Sequence, residues 1–121
     1  MSSSVEFSLR GGWLEISKDG SKRQLVRPDG LEVSEVVPSG DGRSAFTLLD
    51  ASSRTGRVQN LVKVTEAGAM GWRAELPVAE ATDSYVAMQL RSDGLLAWTW
   101  SGFRVLVDSS SGRLLSWVFA K

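Results

Sequence analysis

The sequence predicts an all-β fold: an antiparallel meander of about nine to eleven short strands, arranged as a curled sheet, a β-sandwich or partial propeller-like blades. Three observations lead there. Apolar residues alternate with polar ones over short stretches, and helical spacing is nowhere sustained. Turn signals interrupt these stretches about every eight to twelve residues. Asp19-Gly20, Asp29-Gly30, Asp41-Gly42 and Asp93-Gly94 supply the positive φ angles that tight hairpin turns require. At 121 residues and 42% hydrophobic, the chain is expected to form a single all-β domain over residues 1–121 around a core that needs no staples.

Taken in order, the expected strands begin with Val5 to Leu9, Trp13 to Ser17 and Arg23 to Arg27, the last two joined by Asp19-Gly20. Leu31 to Val37 and Ser44 to Asp50 flank Asp41-Gly42, and a polar surface loop, Ala51 to Gly56, follows. Asn60 to Thr65 and Ala69 to Leu76 come next, and Pro77 discourages continuation of the second. Ala and Glu between Val78 and Met88 favour a helix, but Thr82, Asp83, Ser84, Tyr85 and Val86 oppose it, so a loop followed by a strand from Ser84 to Ser92 is expected. Leu95 to Ser101, Phe103 to Asp108 and Leu114 to Phe119 complete the set. Neither long loop separates halves of different composition, so no domain boundary is indicated.

An internal near-repeat reinforces this pattern. Thr47 to Val58, Leu61 to Trp72 and Val105 to Trp117 each read as strand, polar turn closed by Gly, and strand. In the last two, a Trp follows the glycine on the returning strand, where it is expected to lie over a neighbouring sheet and bury a large area.

Asp93-Gly94-Leu95-Leu96-Ala97-Trp98-Thr99-Trp100, continued by Val105-Leu106-Val107-Asp108 and Ser111-Gly112-Arg113-Leu114-Leu115-Ser116-Trp117, resembles one unit of a quinoprotein-type (PQQ-like) β-propeller repeat, and Asn60 to Leu76 resembles a degenerate second. The C-terminal half is also similar to a group of small uncharacterised bacterial β proteins, through Asn60-Leu61, Val64, Gly68, Trp72-Arg73-Ala74-Glu75-Leu76-Pro77 and Asp83-Ser84-Tyr85-Val86. A blade takes about 40 residues and a closed ring needs at least about four blades. The resemblance therefore implies either an open, curled or sandwich-like sheet, which is favoured because edges are more easily covered within a chain, or association of chains to close a ring. The quinone of the larger propeller enzymes is not implied.

Composition narrows the function. There is no Cys and no His, so disulfides, thiolate zinc sites, thiol nucleophiles and the commonest general base are all missing. The 14 basic and 14 acidic side chains cancel, leaving no positive field for nucleic acid or an anionic membrane. The first ten residues lack the form of a secretory signal, no apolar run approaches a membrane span, and a cytoplasmic location is expected. The opening serines read as a frayed terminus.

The clusters of charged and small polar residues have plain structural readings. The aspartates sit mainly in turns, with nothing to pair two of them across a cleft, and no Asp-x-Asp-x-Asp loop offers a cation several oxygens. Gly40-Asp41-Gly42-Arg43-Ser44 leads into a strand instead of a helix and lacks the Gly-Lys ending of a phosphate loop. Lys18, Lys22, Arg23 and Arg27 around one hairpin suit a solvated, protected edge. A serine nucleophile would need a lysine base, and Ser17-Lys18 and Ser21-Lys22 are adjacent pairs in a turn.

What remains is aromatic. Leu96, Trp98 and Trp100 share one strand face and Ala97, Thr99 and Ser101 the other. The Trp face reads either as core or as a partner surface, since five Trp are many for this length. On the preceding strand Val86, Met88 and Leu90 are expected to point inward, displaying Tyr85 beside Trp72 or the Pro77 loop. The expected function is a non-enzymatic protein-interaction module without cofactor or metal, of which a toxin inhibitor (immunity protein) is one form. Its partner-binding residues would be Asp83, Tyr85, Trp98, Trp100 and Phe103. The alternatives are a small-ligand or carbohydrate pocket built from Trp13, Trp98, Trp100 and a turn carboxylate, and a structural subunit of a propeller-like homo-oligomer.

Overall fold

A computed structural model describes residues 4–120; most of the serine-rich start lies outside them. The described residues form eleven antiparallel strands: β1 (Val5–Arg10), β2 (Trp13–Lys18), β3 (Lys22–Val26), β4 (Val33–Pro38), β5 (Ser44–Leu49), β6 (Leu61–Thr65), β7 (Met70–Arg73), β8 (Tyr85–Arg91), β9 (Gly94–Thr99), β10 (Phe103–Val107) and β11 (Leu114–Phe119). Every expected strand is present, with ends shifted by a residue or two and β7 cut back from its Leu76 end. Each strand pairs with its successor inside three open sheets: an N-terminal sheet β1-β2-β3, a middle sheet β4-β5-β6-β7 and a C-terminal sheet β8-β9-β10-β11.

Turn chemistry explains the register. Asp19 and Gly20 both have positive φ, 53° and 72°, and close the β2–β3 hairpin tightly. Asp29 and Gly30 also have positive φ. Contrary to expectation they form no hairpin; with Pro28 they make a single 3-10 turn that carries the chain from the N-terminal to the middle sheet. Pro28 sets the entry angle and is itself buried.

The middle sheet is covered on both faces. In β5 alternate residues serve opposite cores: Phe46 and Leu48 join Leu61, Met88, Leu95, Ala97, Val105 and Val107 on one side, while Ala45 and Leu49 join Phe7, Leu14, Ile16, Val62 and Val64 on the other. A strand buried on both faces reads as a continuous apolar run, and Ala45 to Leu49 does so apart from Thr47. Thr47 is fully buried, and its hydroxyl donates to the carbonyl of Val62 at 3.1 Å.

The two outer sheets therefore each expose one face, and these faces differ. On the N-terminal sheet, cross-strand register places Glu6, Ser8, Arg10, Glu15, Ser17 and Arg23 on the outside with Trp13 and Leu25. On the C-terminal sheet it places Leu96, Trp98, Leu106 and Val118 on the outside with Gln89, Arg104 and Ser116. One end of the stack is mainly charged and the other mixes apolar side chains with few charges.

Candidate functional site

The long connections gather at one end of the sheets, where buried polar side chains fasten them. Asn60, 1% exposed, immediately precedes β6. Its Nδ2 donates to the carbonyls of Leu49 and Tyr85, both at 2.8 Å, and its Oδ1 accepts the Tyr85 N–H at 2.7 Å, tying the middle to the C-terminal sheet. Asp83 is equally buried. Its carboxylate accepts the N–H of Ser101 at 3.1 Å and the Ser101 hydroxyl at 2.8 Å. Its backbone accepts from Val58 and donates to Gly56 in a short parallel bridge.

Of the five residues expected to bind a partner, these contacts remove two from the surface. Asp83 cross-braces loops. Tyr85 is 2% exposed, with its hydroxyl donating to the carbonyl of Glu75. A β-bulge between Tyr85 and Ala87 inserts one extra residue, which turns Tyr85 inward and Val86 outward, the reverse of simple alternation. Met88 still points inward, as expected. Burial, followed by the negative charges of Asp83 and Glu75, pushes the Tyr85 phenol well above its ordinary range, so it stays neutral.

The Trp face also turns the other way from its core reading. Ala97 and Thr99 are buried, and the smaller side chains let the C-terminal sheet approach the middle one closely. Trp98 is half-buried on the outer face, and Trp100, past the end of β9, is 65% exposed. Phe103 is half-buried and meets Phe119 edge-on, with ring centroids 5.4 Å apart. Trp72 behaves as the near-repeat predicts: it packs on Phe46 at 5.8 Å and donates through Nε1 to the carbonyl of Ser109. Its counterpart Trp117 does not, remaining 48% exposed.

Trp13, Trp98 and Trp100 do not converge on one pocket. Trp13 sits in the N-terminal sheet with the Arg27 guanidinium 4.3 Å from its ring centroid. Trp100 alone borders a depression of about 480 Å³, beside Asp50, Ser52, Ser84 and Val86. A second depression of about 350 Å³ lies between Asp29 and the 54–59 segment. Among the described residues no group of three or more acidic side chains is placed to hold a metal ion, and no helix is long and apolar enough to cross a membrane.

None of the five residues expected to bind a partner lies in the last strand. β11, Leu114–Phe119, is an edge of the C-terminal sheet. Its Leu115, Trp117, Val118 and Phe119 are 54%, 48%, 49% and 57% exposed. The other edge strands each carry charge: Glu6 and Arg10 in β1, Lys22 and Arg23 in β3, Glu35 with Pro38 in β4, Arg73 in β7 and Arg91 in β8. β11 carries none. Edge strands ordinarily bear such charges or prolines to block pairing with another chain, so among the described residues β11 is the one edge strand without that protection. The signal was present in the sequence as an uncharged run, Leu114-Leu115-Ser116-Trp117-Val118-Phe119, next to the end of the meander.

A family model described as Domain of unknown function (DUF7957) matches residues 32–119, a span that takes in the middle and C-terminal sheets and leaves β1, β2 and β3 outside it. No curated protein and no solved structure matches the chain.

Proposed function

The chain belongs to this DUF7957 family, and on that premise we propose that it is a non-enzymatic protein-interaction module whose docking surface is the C-terminal sheet. The observation that carries this is the uncharged edge of β11, with Leu115, Trp117, Val118 and Phe119 all about half exposed. An extended segment of another protein can add a strand to β11 through main-chain hydrogen bonds, with Leu115, Trp117, Val118 and Phe119 supplying apolar contact. Of the expected set, Phe103 pairs with Phe119 and Trp98 lies two strands in from β11 on the outer face, while Trp100 lies on the far, β8 side beside Ser84; Asp83 and Tyr85 are buried beneath the sheet's end. A bacterial inhibitor acting in the cytoplasm is one form such a module takes, and the poverty of nucleophiles and bases supports a role without catalysis.

The test is comparative capture. Val118 is about half exposed on the outer face, so Val118→Lys places a charge on the edge without disturbing either core. The wild-type chain should retain a specific protein from an extract of its source cells that the Val118→Lys chain does not. If both retain the same proteins, the docking surface is elsewhere.

One observation favours a second reading. Exposed Trp100 at the mouth of the larger depression, with hydroxyls of Ser52 and Ser84 and the Asp50 carboxylate nearby, has the aromatic-plus-polar make-up of a small-ligand or saccharide site. Saccharide-dependent quenching that disappears in Trp100→Ala would support it. The propeller-like homo-oligomer draws on the same β11 edge, with a second copy as the added strand, and sedimentation of the isolated chain as monomer at high concentration would remove it.

A further inference from the structure

We propose that the depression between the Pro28–Gly30 turn and the 54–59 segment is a binding site for a phosphate group. Its walls include Asp29, Leu31, Arg54, Arg57, Val58 and Arg73, and its volume is about 350 Å³. Three arginines and one aspartate thus line a single concavity, an excess of two positive charges in a chain whose formal net charge is zero.

The arginines are oriented chiefly by groups that leave their charge intact. Arg54 Nη2 donates to the backbone carbonyl of Asp29 at 3.0 Å. Arg57 Nη1 donates to the backbone carbonyls of Val78 and Glu80. Carbonyls are neutral, so they hold the two guanidiniums without cancelling them. Among the described residues only Arg73 of the three meets a carboxylate, its Nη2 lying 2.6 Å from Asp29 Oδ1. In each arginine these bonds engage one nitrogen, and the rest of the planar fork, which suits tetrahedral oxyanions, remains for a ligand. Two uncompensated charges match a phosphate monoester or inorganic phosphate, which carries close to two negative charges at neutral pH, better than a single carboxylate.

Asp29 is the gate of this arrangement. It is a non-glycine residue at φ 56°, and Arg54 and Arg73 hold its carbonyl and its carboxylate. That carboxylate competes with any anion for Arg73. Asparagine tolerates the same left-handed backbone, so Asp29→Asn removes the competitor and keeps the turn.

The site is independent of the β11 interface and is tested separately, by following backbone amides in nuclear magnetic resonance spectra during titration with inorganic phosphate, and in parallel with glycerol phosphate, at constant ionic strength. Saturable shifts confined to residues 29–31, 54–59 and 73 are expected. Arg54→Gln should weaken binding about tenfold, in keeping with loss of one charge-assisted bond. Asp29→Asn should tighten it severalfold. Tighter binding of the ester than of free phosphate would identify an organic phosphate as the ligand, and the converse a free oxyanion; both uphold the site. The same spectra report whether each variant is folded. Absence of saturable shifts in the wild-type chain, or weakening in both variants alike, overturns the proposal.

Discussion

Asn60 shows how much one side chain does in a protein built from open sheets. All three of its hydrogen bonds go to backbone groups of other segments, and all are buried. Asn60→Ala leaves those groups without partners and should lower stability by about 3 kcal/mol in urea unfolding, the size expected for orphaned buried polar groups. Trp100→Ala should cost little, less than about 0.5 kcal/mol, because that indole is mostly in solvent. A loss of several kcal/mol would restore the core reading of the Trp face. The turn aspartates predict an acid response. Asp41, Asp50 and Asp108 are each held below their ordinary value of 3.8, led by the Ser39 hydroxyl, the Ser52 N–H and the Ser110 N–H respectively. A carboxyl whose folded pKa is depressed contributes stability that is complete above its unfolded pKa and is lost as pH falls through the folded one. The urea midpoint should therefore fall progressively below about pH 4, and the triple Asp→Asn variant should show a flatter profile there.

At the scale of elements, the turn after β10 joins sequence and packing. Gly112 has φ 77°, and a Cβ placed there would lie 2.6 Å from the Trp72 ring. Trp72 cannot easily retreat, since its Nε1 is bonded to Ser109 and its ring rests on Phe46. Gly112→Ala should cost about 2 to 3 kcal/mol through backbone strain and overpacking, and Trp72 emission should shift to the red as it is displaced. All eleven strands were legible because period-two alternation and glycine turns are local signals. Three features were not. The bulge at Tyr85/Ala87 inverts alternation without changing composition. The Asp29-Gly30 turn has hairpin residues but joins two sheets. The arginine cluster is assembled from segments widely separated in the chain, Asp29, Arg54, Arg57 and Arg73, and no spacing rule anticipates it. Asn60 offered only the weak hint of an amide at the start of an apolar strand.

At the scale of the whole molecule, the stack of three sheets ends differently on its two sides. The N-terminal sheet turns Glu6, Arg10, Glu15 and Arg23 outward around Trp13 and Leu25, a mainly charged surface. The C-terminal sheet turns Trp98, Leu106 and Val118 outward around Arg104, and leaves β11 without a charged residue. Exposed apolar surface of this kind, next to an unprotected edge, is what an interaction site requires and what a monomeric surface ordinarily avoids. The most direct measurement of that asymmetry places a photo-crosslinking amino acid at Val118 on the C-terminal edge and, separately, at Ser8 on the polar outer face, in the protein expressed in its source cells. A discrete protein adduct should form from position 118 and none from position 8. Adducts from both positions alike, or from neither, would contradict the assignment of the C-terminal sheet as the docking surface.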